Sequence, residues 1–139
     1  VLKNQVDKKM FTNIFSKIKN AQKNNLKFIE LNMNISKKLH SFLLILYKEG
    51  YINNFCYKYD KNNKLKIIVL LKYDIDNKQA ITNIKQISKP GYPVFCNSKL
   101  LWKIKHGFGI YVLSTTYGLL TDFEARLLNV GGKILCVIY

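Results

Sequence analysis

Residues 110–139 read IYVLSTTYGLLTDFEARLLNVGGKILCVIY, and this stretch predicts the architecture of the C-terminal part of the chain. β-Branched and aromatic side chains dominate residues 110–113, which is typical of a β-strand. Residues 114–118 follow as a loop rich in hydroxyl groups that ends at a glycine. The sequence therefore predicts a strand that leads into a hydroxyl-rich loop.

A short helix and a final strand are expected after this loop. Thr121 and Glu124 have the spacing of a capping box, in which each side chain bonds the backbone of the other residue. This predicts a helix that runs to about Asn129. The pair Gly131-Gly132 then turns the chain into a last strand, Lys133 to Tyr139.

The N-terminal part shows two amphipathic helices. Apolar residues near the start recur at helical spacing and predict a helix that ends near Asn20. Ser36 is the expected N-cap of a second helix, and Gly50 occupies the position of a left-handed C-terminal cap. The apolar stripes are Met10, Phe11, Ile14, Phe15 and Ile18 in the first helix and Leu39, Phe42, Leu43 and Leu46 in the second.

Three strand candidates accompany these helices. They are Leu26 to Leu31, Tyr51 to Tyr59 and Leu65 to Leu71, and a polar turn joins the last two as a hairpin. Farther along, the pattern of isoleucines from Ile81 to Ile87 fits a strand and a helix equally well.

Two small domains are expected to meet in the polar stretch from Tyr73 to Gln79. We predict an α/β (α+β) fold with an N-terminal domain over residues 1–72 and a C-terminal domain over residues 73–139. The first is a helix-strand-helix unit with a β-hairpin, and the second is mainly β with a short helix. Asp74 and Asp76 have no third ligand at calcium-loop spacing, so they indicate a solvated turn.

The chain carries a large positive charge. Lysine and arginine number 23 against 8 aspartates and glutamates in 139 residues, for a formal charge of +15. Nucleic acid or an anionic membrane is therefore the first partner to consider. The apolar content of 48% predicts a folded chain. The longest apolar run, residues 42–47, is far shorter than the roughly 20 residues of a membrane span, and the first residues show no signal core.

The cysteines and the residue composition indicate the cellular compartment of the protein. Cys56, Cys96 and Cys136 form no C-x-x-C pair, so we expect three buried thiols in a reducing compartment rather than a disulfide framework or a zinc site. Lysine accounts for 22 of the 23 basic residues, with 15 asparagines and 16 isoleucines. These residues have A/T-rich codons, which favours a gene in an A/T-rich genome such as that of an organelle.

Catalysis finds no support in the sequence. Ser114 or Thr116 would need a general base, and neither His40 in a helix nor His106 in a basic stretch indicates a triad. Gly107-x-Gly109 is too short for a dinucleotide fingerprint. We therefore expect no enzymatic activity, cofactor, metal or small-molecule substrate.

Nucleic-acid binding explains more of the sequence. Lysines neutralise phosphates, and the Ser-Thr-Thr loop offers donors for phosphates, 2′-hydroxyls and base edges in a shallow RNA minor groove. Glycines at 118, 131 and 132 allow close approach of the backbone. Each feature also has an ordinary structural explanation, since lysines often form a solvated surface and Ser/Thr loops are often turns.

Several motifs closely resemble those of the bacterial-type small-subunit ribosomal protein eight family. Its C-terminal pattern reads GLGI, STSKG, TDREAR and GGE followed by cysteine, and its upstream segments read IRNA, EGYI and SRPG. The corresponding segments here are GFGI at 107–110, STTYG at 114–118, TDFEAR at 121–126, GGK at 131–133 with Cys136, IKNA at 18–21, EGYI at 49–52 and SKPG at 88–91.

The resemblance implies a structural RNA-binding protein of the small ribosomal subunit. Such a protein binds stem regions in the central domain of the small-subunit ribosomal RNA and helps that domain assemble. Its partners are this RNA and neighbouring small-subunit ribosomal proteins, with no membrane. The residue bias favours a mitochondrial ribosome over a plastid or bacterial cytoplasmic one. The alternative function is a basic RNA-binding factor that acts off the ribosome.

The family's RNA contacts can be carried over by position. Tyr117 stands where the family usually has Lys or Arg, so a phosphate contact is replaced by stacking, and Lys133 stands where it usually has Glu. The RNA-binding residues implied are Ser114, Thr115, Thr116, Tyr117, Gly118, Gly131, Gly132, Lys133, Lys17, Lys19 and Lys37.

Overall fold

The computed structural model describes residues 2–89, 91–101 and 109–139, with side chains from residue 9 onward. Its helices and antiparallel sheets form two compact units, which we call unit 1 (Val1–Ile81) and unit 2 (Thr82–Tyr139). The α+β class expected from the sequence is confirmed.

The division between the units falls between Ile81 and Thr82, shortly after the polar stretch from Tyr73 to Gln79 in which the joint was expected. The polar stretch after Lys72 is held to unit 1 by hydrogen bonds. The Tyr73 hydroxyl donates to the Leu26 carbonyl over 2.5 Å, and the Ala80 N–H donates to the Lys72 carbonyl over 3.1 Å.

Unit 1 is a three-stranded antiparallel sheet with two helices. The strand order is β1-β3-β2, so the hairpin strand β2 forms an edge. The elements are α1 (Leu2–Lys23), β1 (Phe28–Leu31), α2 (Lys37–Lys48), β2 (Ile52–Tyr59) and β3 (Leu65–Leu71).

Local signals define α2 as predicted. The Ser36 hydroxyl accepts a hydrogen bond from the Leu39 N–H over 3.1 Å, which satisfies one free donor of the first turn. Gly50 has a φ of +77°, and the N–H of Tyr51 donates to the Leu46 carbonyl over 2.9 Å. This is a Schellman motif, which stops the helix and directs the chain into β2.

Aromatic rings hold the two helices of unit 1 together. The Phe42 ring is fully buried, and its centroid lies 5.5 Å from that of Phe11 and 5.6 Å from that of Phe15. The predicted apolar stripe of α1 is buried as a whole, but the helix ends later than expected, at Lys23.

Unit 2 is a five-stranded antiparallel sheet with two short helices. The main path is β4-β8-β6-β7, and β5 pairs with β8. Cys96, Leu101, Leu113, Ala125 and Ile134 form a buried cluster between sheet and helices. The elements are β4 (Ile84–Gln86), β5 (Phe95–Cys96), α3 (Ser98–Leu101), β6 (Ile110–Thr115), β7 (Gly118–Thr121), α4 (Asp122–Leu127) and β8 (Gly132–Ile138).

Some expectations for unit 2 are corrected or fall outside the described residues. The ambiguous isoleucine segment contains a strand, since Ile84 pairs with Ile138. Strand β7 was not predicted. The features expected at Pro90, His106 and Gly107 lie outside the described residues.

The prediction of three buried thiols is wrong for one of them. Cys96 and Cys136 are buried, but Cys56 is exposed because its side chain points away from the helix-covered face of the edge strand β2. Burial raises the pKa of the Cys136 thiol to about 12 and also raises that of Cys96.

These positions predict the reactivity of the thiols. With an aromatic disulfide reagent at neutral pH, we expect one thiol per chain to react quickly and two to react only on unfolding, because a buried protonated thiol is a poor nucleophile. Cys56→Ser should abolish the fast phase, while Cys96→Ser should leave it intact. A fast phase that survives Cys56→Ser would contradict this assignment.

Candidate nucleic-acid interface

The Ser114–Gly118 segment forms a tight hairpin rather than an open loop. Ser114 and Thr115 end β6, Gly118 begins β7, and only Thr116 and Tyr117 lie in the turn. The Thr115 hydroxyl donates to the Gly118 carbonyl over 2.9 Å and accepts from the Tyr117 N–H over 3.2 Å. Thr115 therefore closes the turn with its side chain.

The tip of the hairpin is open to solvent, and Ser114 is half-buried at its base. Thr116 and Gly118 are exposed, and the Tyr117 side chain, at 71% exposure, projects from the tip. Within the described ranges, the hydroxyls of Ser114 and Thr116 make no hydrogen bond to another residue. These two hydroxyls and one phenol ring are the groups that the hairpin presents to a ligand.

The diglycine turn lies directly against this hairpin. A Cβ atom added at Gly132 would lie 2.4 Å from the Ser114 carbonyl oxygen, and one at Gly131 would lie 2.5 Å from the Cys96 carbonyl oxygen. Only residues without a side chain let the start of β8 fit between the end of β6 and the β5–α3 turn.

Lys133 is brought to the same place by strand pairing. It is the Cα partner of Ser114 on β6 and of Phe95 on β5. Two sequence motifs that are 13 or more residues apart thus form one continuous surface, which we call the C-terminal surface: Ser114–Gly118 with Gly131–Lys133.

Phe95 is a neighbour that the sequence analysis did not identify. It lies opposite Lys133, and its side chain is 70% exposed. Its exposure follows from the alternation with the buried Cys96 along β5, and no local sequence pattern shows that it lies opposite Lys133.

Helix α4 fixes the far end of the hairpin. The predicted capping box is present: the Thr121 hydroxyl accepts from the Glu124 N–H over 3.3 Å, and the Glu124 carboxylate accepts from the Thr121 N–H over 3.1 Å. Asp122, which is buried, forms an ion pair with Arg126 at 3.3 Å. Both acidic residues of unit 2 are thus used to hold the helix.

The charge of unit 2 favours an anionic ligand. Residues 82–139 contain seven basic residues, namely six lysines and Arg126, against the two acidic residues Asp122 and Glu124. Asp122 is paired with Arg126, and the Glu124 carboxylate accepts a hydrogen bond from the N-cap residue Thr121. Neither carboxylate belongs to the C-terminal surface. A polyanion can approach that surface without meeting a free carboxylate from it.

The predicted lysines of unit 1 occupy three separate positions on its two helices. Lys17 lines a groove of about 570 Å³ between α1 and the loop after β1, whereas Lys19 is exposed elsewhere on the helix. Lys37 is exposed at the start of α2, next to Ser36, whose hydroxyl contacts the Met10 sulfur at 3.6 Å. The polar lining of the groove consists mainly of Lys9, Asn13, Lys17, Asn20, Asn32 and Asn34.

The described residues hold neither a membrane-spanning helix nor a metal cluster. None of their helices has both the length and the apolar character needed to cross a bilayer. Their His, Cys, Asp and Glu side chains form no group of three or more that could hold a metal ion.

Comparison with known proteins places the chain in a family. The family model described as Ribosomal protein S8 matches residues 9–139. The chain is 39% identical over 126 residues to Small ribosomal subunit protein uS8 of Rickettsia typhi, covering 91% of this chain and 93% of that protein. It is 41% identical over 127 residues to uS8 of Natranaerobius thermophilus, with the same coverage. Similarity to Small ribosomal subunit protein uS8c of Aethionema cordifolium is 38% over 136 residues, or 95% of this chain and 98% of that protein. The chain therefore belongs to the ribosomal protein S8 family, a family of structural, non-enzymatic ribosomal proteins.

Proposed function

We propose that this chain is a structural constituent of the small ribosomal subunit and binds stem regions in the central domain of the small-subunit ribosomal RNA, helping that domain assemble. The observation that carries the proposal is the C-terminal surface. There Ser114 pairs with Lys133 and lies against Gly132, and Thr116 is exposed in the adjoining turn.

The chemistry of this surface fits a stem seen from its minor groove. An A-form helix displays 2′-hydroxyls and base edges in a wide, shallow minor groove, which a narrow hairpin can follow. Ser114 and Thr116 donate to or accept from these groups, while Tyr117 stacks on a base or a sugar. Lys133 and the other lysines contribute counterion release, which adds affinity without selecting a sequence.

Unit 1 supplies a second, more general contact. Lys17, with the asparagines of its groove, offers a cation and amide donors to a phosphate backbone. Lys19 and Lys37 are exposed on other parts of the same unit and add long-range attraction.

Neighbouring small-subunit ribosomal proteins are the expected protein partners, and the mitochondrial ribosome is the proposed location. The bias toward lysine, asparagine and isoleucine supports an organellar gene. A factor that acts off the ribosome is distinguished by sedimentation, because it would not travel with small subunits at physiological salt.

The double variant Ser114→Ala/Thr116→Ala tests the proposal. Each lost hydroxyl removes hydrogen bonds worth about 0.5–1.5 kcal/mol, so we expect affinity for a central-domain stem to fall by about 1–3 kcal/mol in total. The measurement is a titration of labelled stem across a salt series. The slope of log affinity against log salt should not change, since no charge is lost.

Two controls make the result interpretable. Thr82→Ala removes an exposed hydroxyl of unit 2 next to Asn83, which bonds Tyr139 beyond the end of β8 opposite to Lys133, and should leave affinity unchanged. A stem of scrambled sequence measures the nonspecific part of binding. If the wild-type chain does not prefer the central-domain stem, or if the double variant binds it as tightly, the proposal is wrong.

A further inference from the structure

A cluster of aromatic rings lies on the surface of unit 1, on helix α2 and the edge strand β2. The rings of His40 on α2 and Tyr57 on β2 are stacked, with centroids 5.9 Å apart and planes 23° apart. The Tyr57 hydroxyl oxygen lies 2.5 Å from Nδ1 of His40, which fixes the two rings to each other.

Phe55 packs against both rings of this pair. Its ring meets His40 edge-on at 5.7 Å and Tyr57 edge-on at 6.2 Å. Tyr47 completes the cluster, with its centroid 6.5 Å from that of Phe55. We call His40, Tyr47, Phe55 and Tyr57 the aromatic platform.

The platform is not part of the core. Phe55 is half-buried, but His40 is exposed, Tyr47 is 48% exposed and Tyr57 is 40% exposed. Packing of α2 within unit 1 already uses Leu39, Phe42, Leu43, Ile45 and Leu46, which are buried on another side of the helix. The aromatic rings are therefore ordered by one another while parts of them remain open to solvent.

The lysines at the two ends of α2 favour an anionic partner for the platform. Lys37 and His40 are three residues apart on α2, so their side chains lie on neighbouring parts of one helical face, and Tyr47 follows seven residues after His40. Lys48 lies at the other end of this face. From Asn32 to Lys48 the sequence contains no acidic residue.

We propose that the aromatic platform is a second RNA site, at which an unpaired base stacks on the exposed ring surface of His40 and Tyr57 while Lys37 binds its phosphate. The inference rests on the proposed RNA-binding function and adds a contact of different chemistry. Aromatic rings beside cations are the usual means of holding unpaired nucleotides, because every base has a π-face. Stems, whose bases are already stacked, would not use this site.

The test is the affinity of the full chain for a short labelled single-stranded RNA, measured with excess unlabelled central-domain stem present. A matched oligomer with the same number of phosphates but abasic sugars is the second probe. Tyr57→Ala should weaken binding of the base-bearing RNA about tenfold, equivalent to about 1.4 kcal/mol, and leave the abasic oligomer unaffected. Tyr57→Phe, which keeps the ring, should retain most of the affinity.

Controls separate stacking from general effects. Tyr92→Ala removes an exposed tyrosine of unit 2 and should change neither affinity. His40→Ala, a substitution on α2 rather than on β2, gives an independent loss of stacking. In the wild-type complex, 2-aminopurine placed in the single strand should be quenched, and Tyr57→Ala should restore its fluorescence.

Three outcomes would overturn the inference: equal loss on both oligomers, no loss on either, or no quenching of 2-aminopurine. Stem selectivity of the wild-type chain, titrated separately, decides the proposed function. If the wild-type chain prefers the stem but Tyr57→Ala does not change single-strand binding, the platform is refuted and the proposed function is not. If the wild-type chain shows no preference for the stem, the proposed function is refuted, and the single-strand result is judged by itself.

Discussion

Gly132→Val is expected to cause a large loss of RNA affinity together with a loss of stability. A Cβ atom at this position would lie 2.4 Å from the Ser114 carbonyl oxygen and 3.0 Å from the Thr115 methyl group. Neither backbone can give way without breaking the β6–β8 ladder, so β8 must move away from the hairpin. We expect the free energy of unfolding to fall by about 3 kcal/mol, at the upper end of overpacking effects.

The RNA titration shows whether the C-terminal surface depends on this close contact. In the fraction that remains folded, stem affinity should fall by at least as much as in the Ser114→Ala/Thr116→Ala variant, because the hairpin and Lys133 separate. Gly91→Ala is the matched control. Gly91 has a φ of +83° but open space around its Cβ position, so its replacement costs only about 1–2 kcal/mol of conformational energy. A Gly132→Val protein with unchanged stem affinity would show that the two motifs act separately.

The local elements could be predicted because each has its own short-range signal. The capping box at Thr121 and the left-handed cap at Gly50 are present as expected. The ends of α1 and α4 depend on a different signal, since Asn25 and Asn129 adopt the left-handed conformation with φ of 52° and 54°. Leu26, which follows Asn25, donates to the Ala21 carbonyl over 2.9 Å in the Schellman pattern.

Asparagine thus performs the task that glycine performs in many helices and turns. In the described part of the chain, the non-glycine residues with positive φ are all asparagines: Asn25, Asn63, Asn77 and Asn129. Asn129 and Asn63 lie where the end of α4 and the hairpin turn were expected, whereas α1 was expected to end near Asn20, before the left-handed residue Asn25. The abundance of asparagine, first noticed as a codon bias, therefore has a structural use.

The residues of the candidate site could be named from the sequence, but their arrangement as one surface could not. Ser114 and Lys133 lie next to each other only through the register of β6 and β8, and that register includes an irregularity between Val112 and Leu113. No local pattern determines such a pairing. Phe95 was missed for the same reason, because its proximity to Lys133 follows from the pairing of β5 with β8.

The aromatic platform could not be predicted from the sequence. His40 was considered only as a catalytic base, and Tyr57 only as a strand residue. Their stacking depends on how α2 crosses the edge strand β2, which is a tertiary property. Residues of different elements acquire a common role only once the packing is known.

Phe42→Ala is expected to have the largest effect on stability in unit 1. The ring is completely buried between Phe11 and Phe15, and its removal leaves a cavity as well as losing apolar transfer energy. Substitutions of this kind cost about 3–5 kcal/mol. Far-ultraviolet circular dichroism during urea unfolding is the measurement, because α1 and α2, with 22 and 12 residues, are the long helices of the described chain.

Phe28→Ala is the matched control for this substitution. Phe28 lies in the same unit with a 52% exposed side chain, so its loss should lower the free energy of unfolding by less than about 1 kcal/mol. At low urea concentration, folded Phe42→Ala protein should bind the central-domain stem like the wild type, since Phe42 lies outside the C-terminal surface. A stability loss below about 1 kcal/mol would show that the Phe11–Phe15–Phe42 cluster does not hold the helices together. A selective loss of stem binding by the folded variant would instead show that unit 1 controls the C-terminal surface.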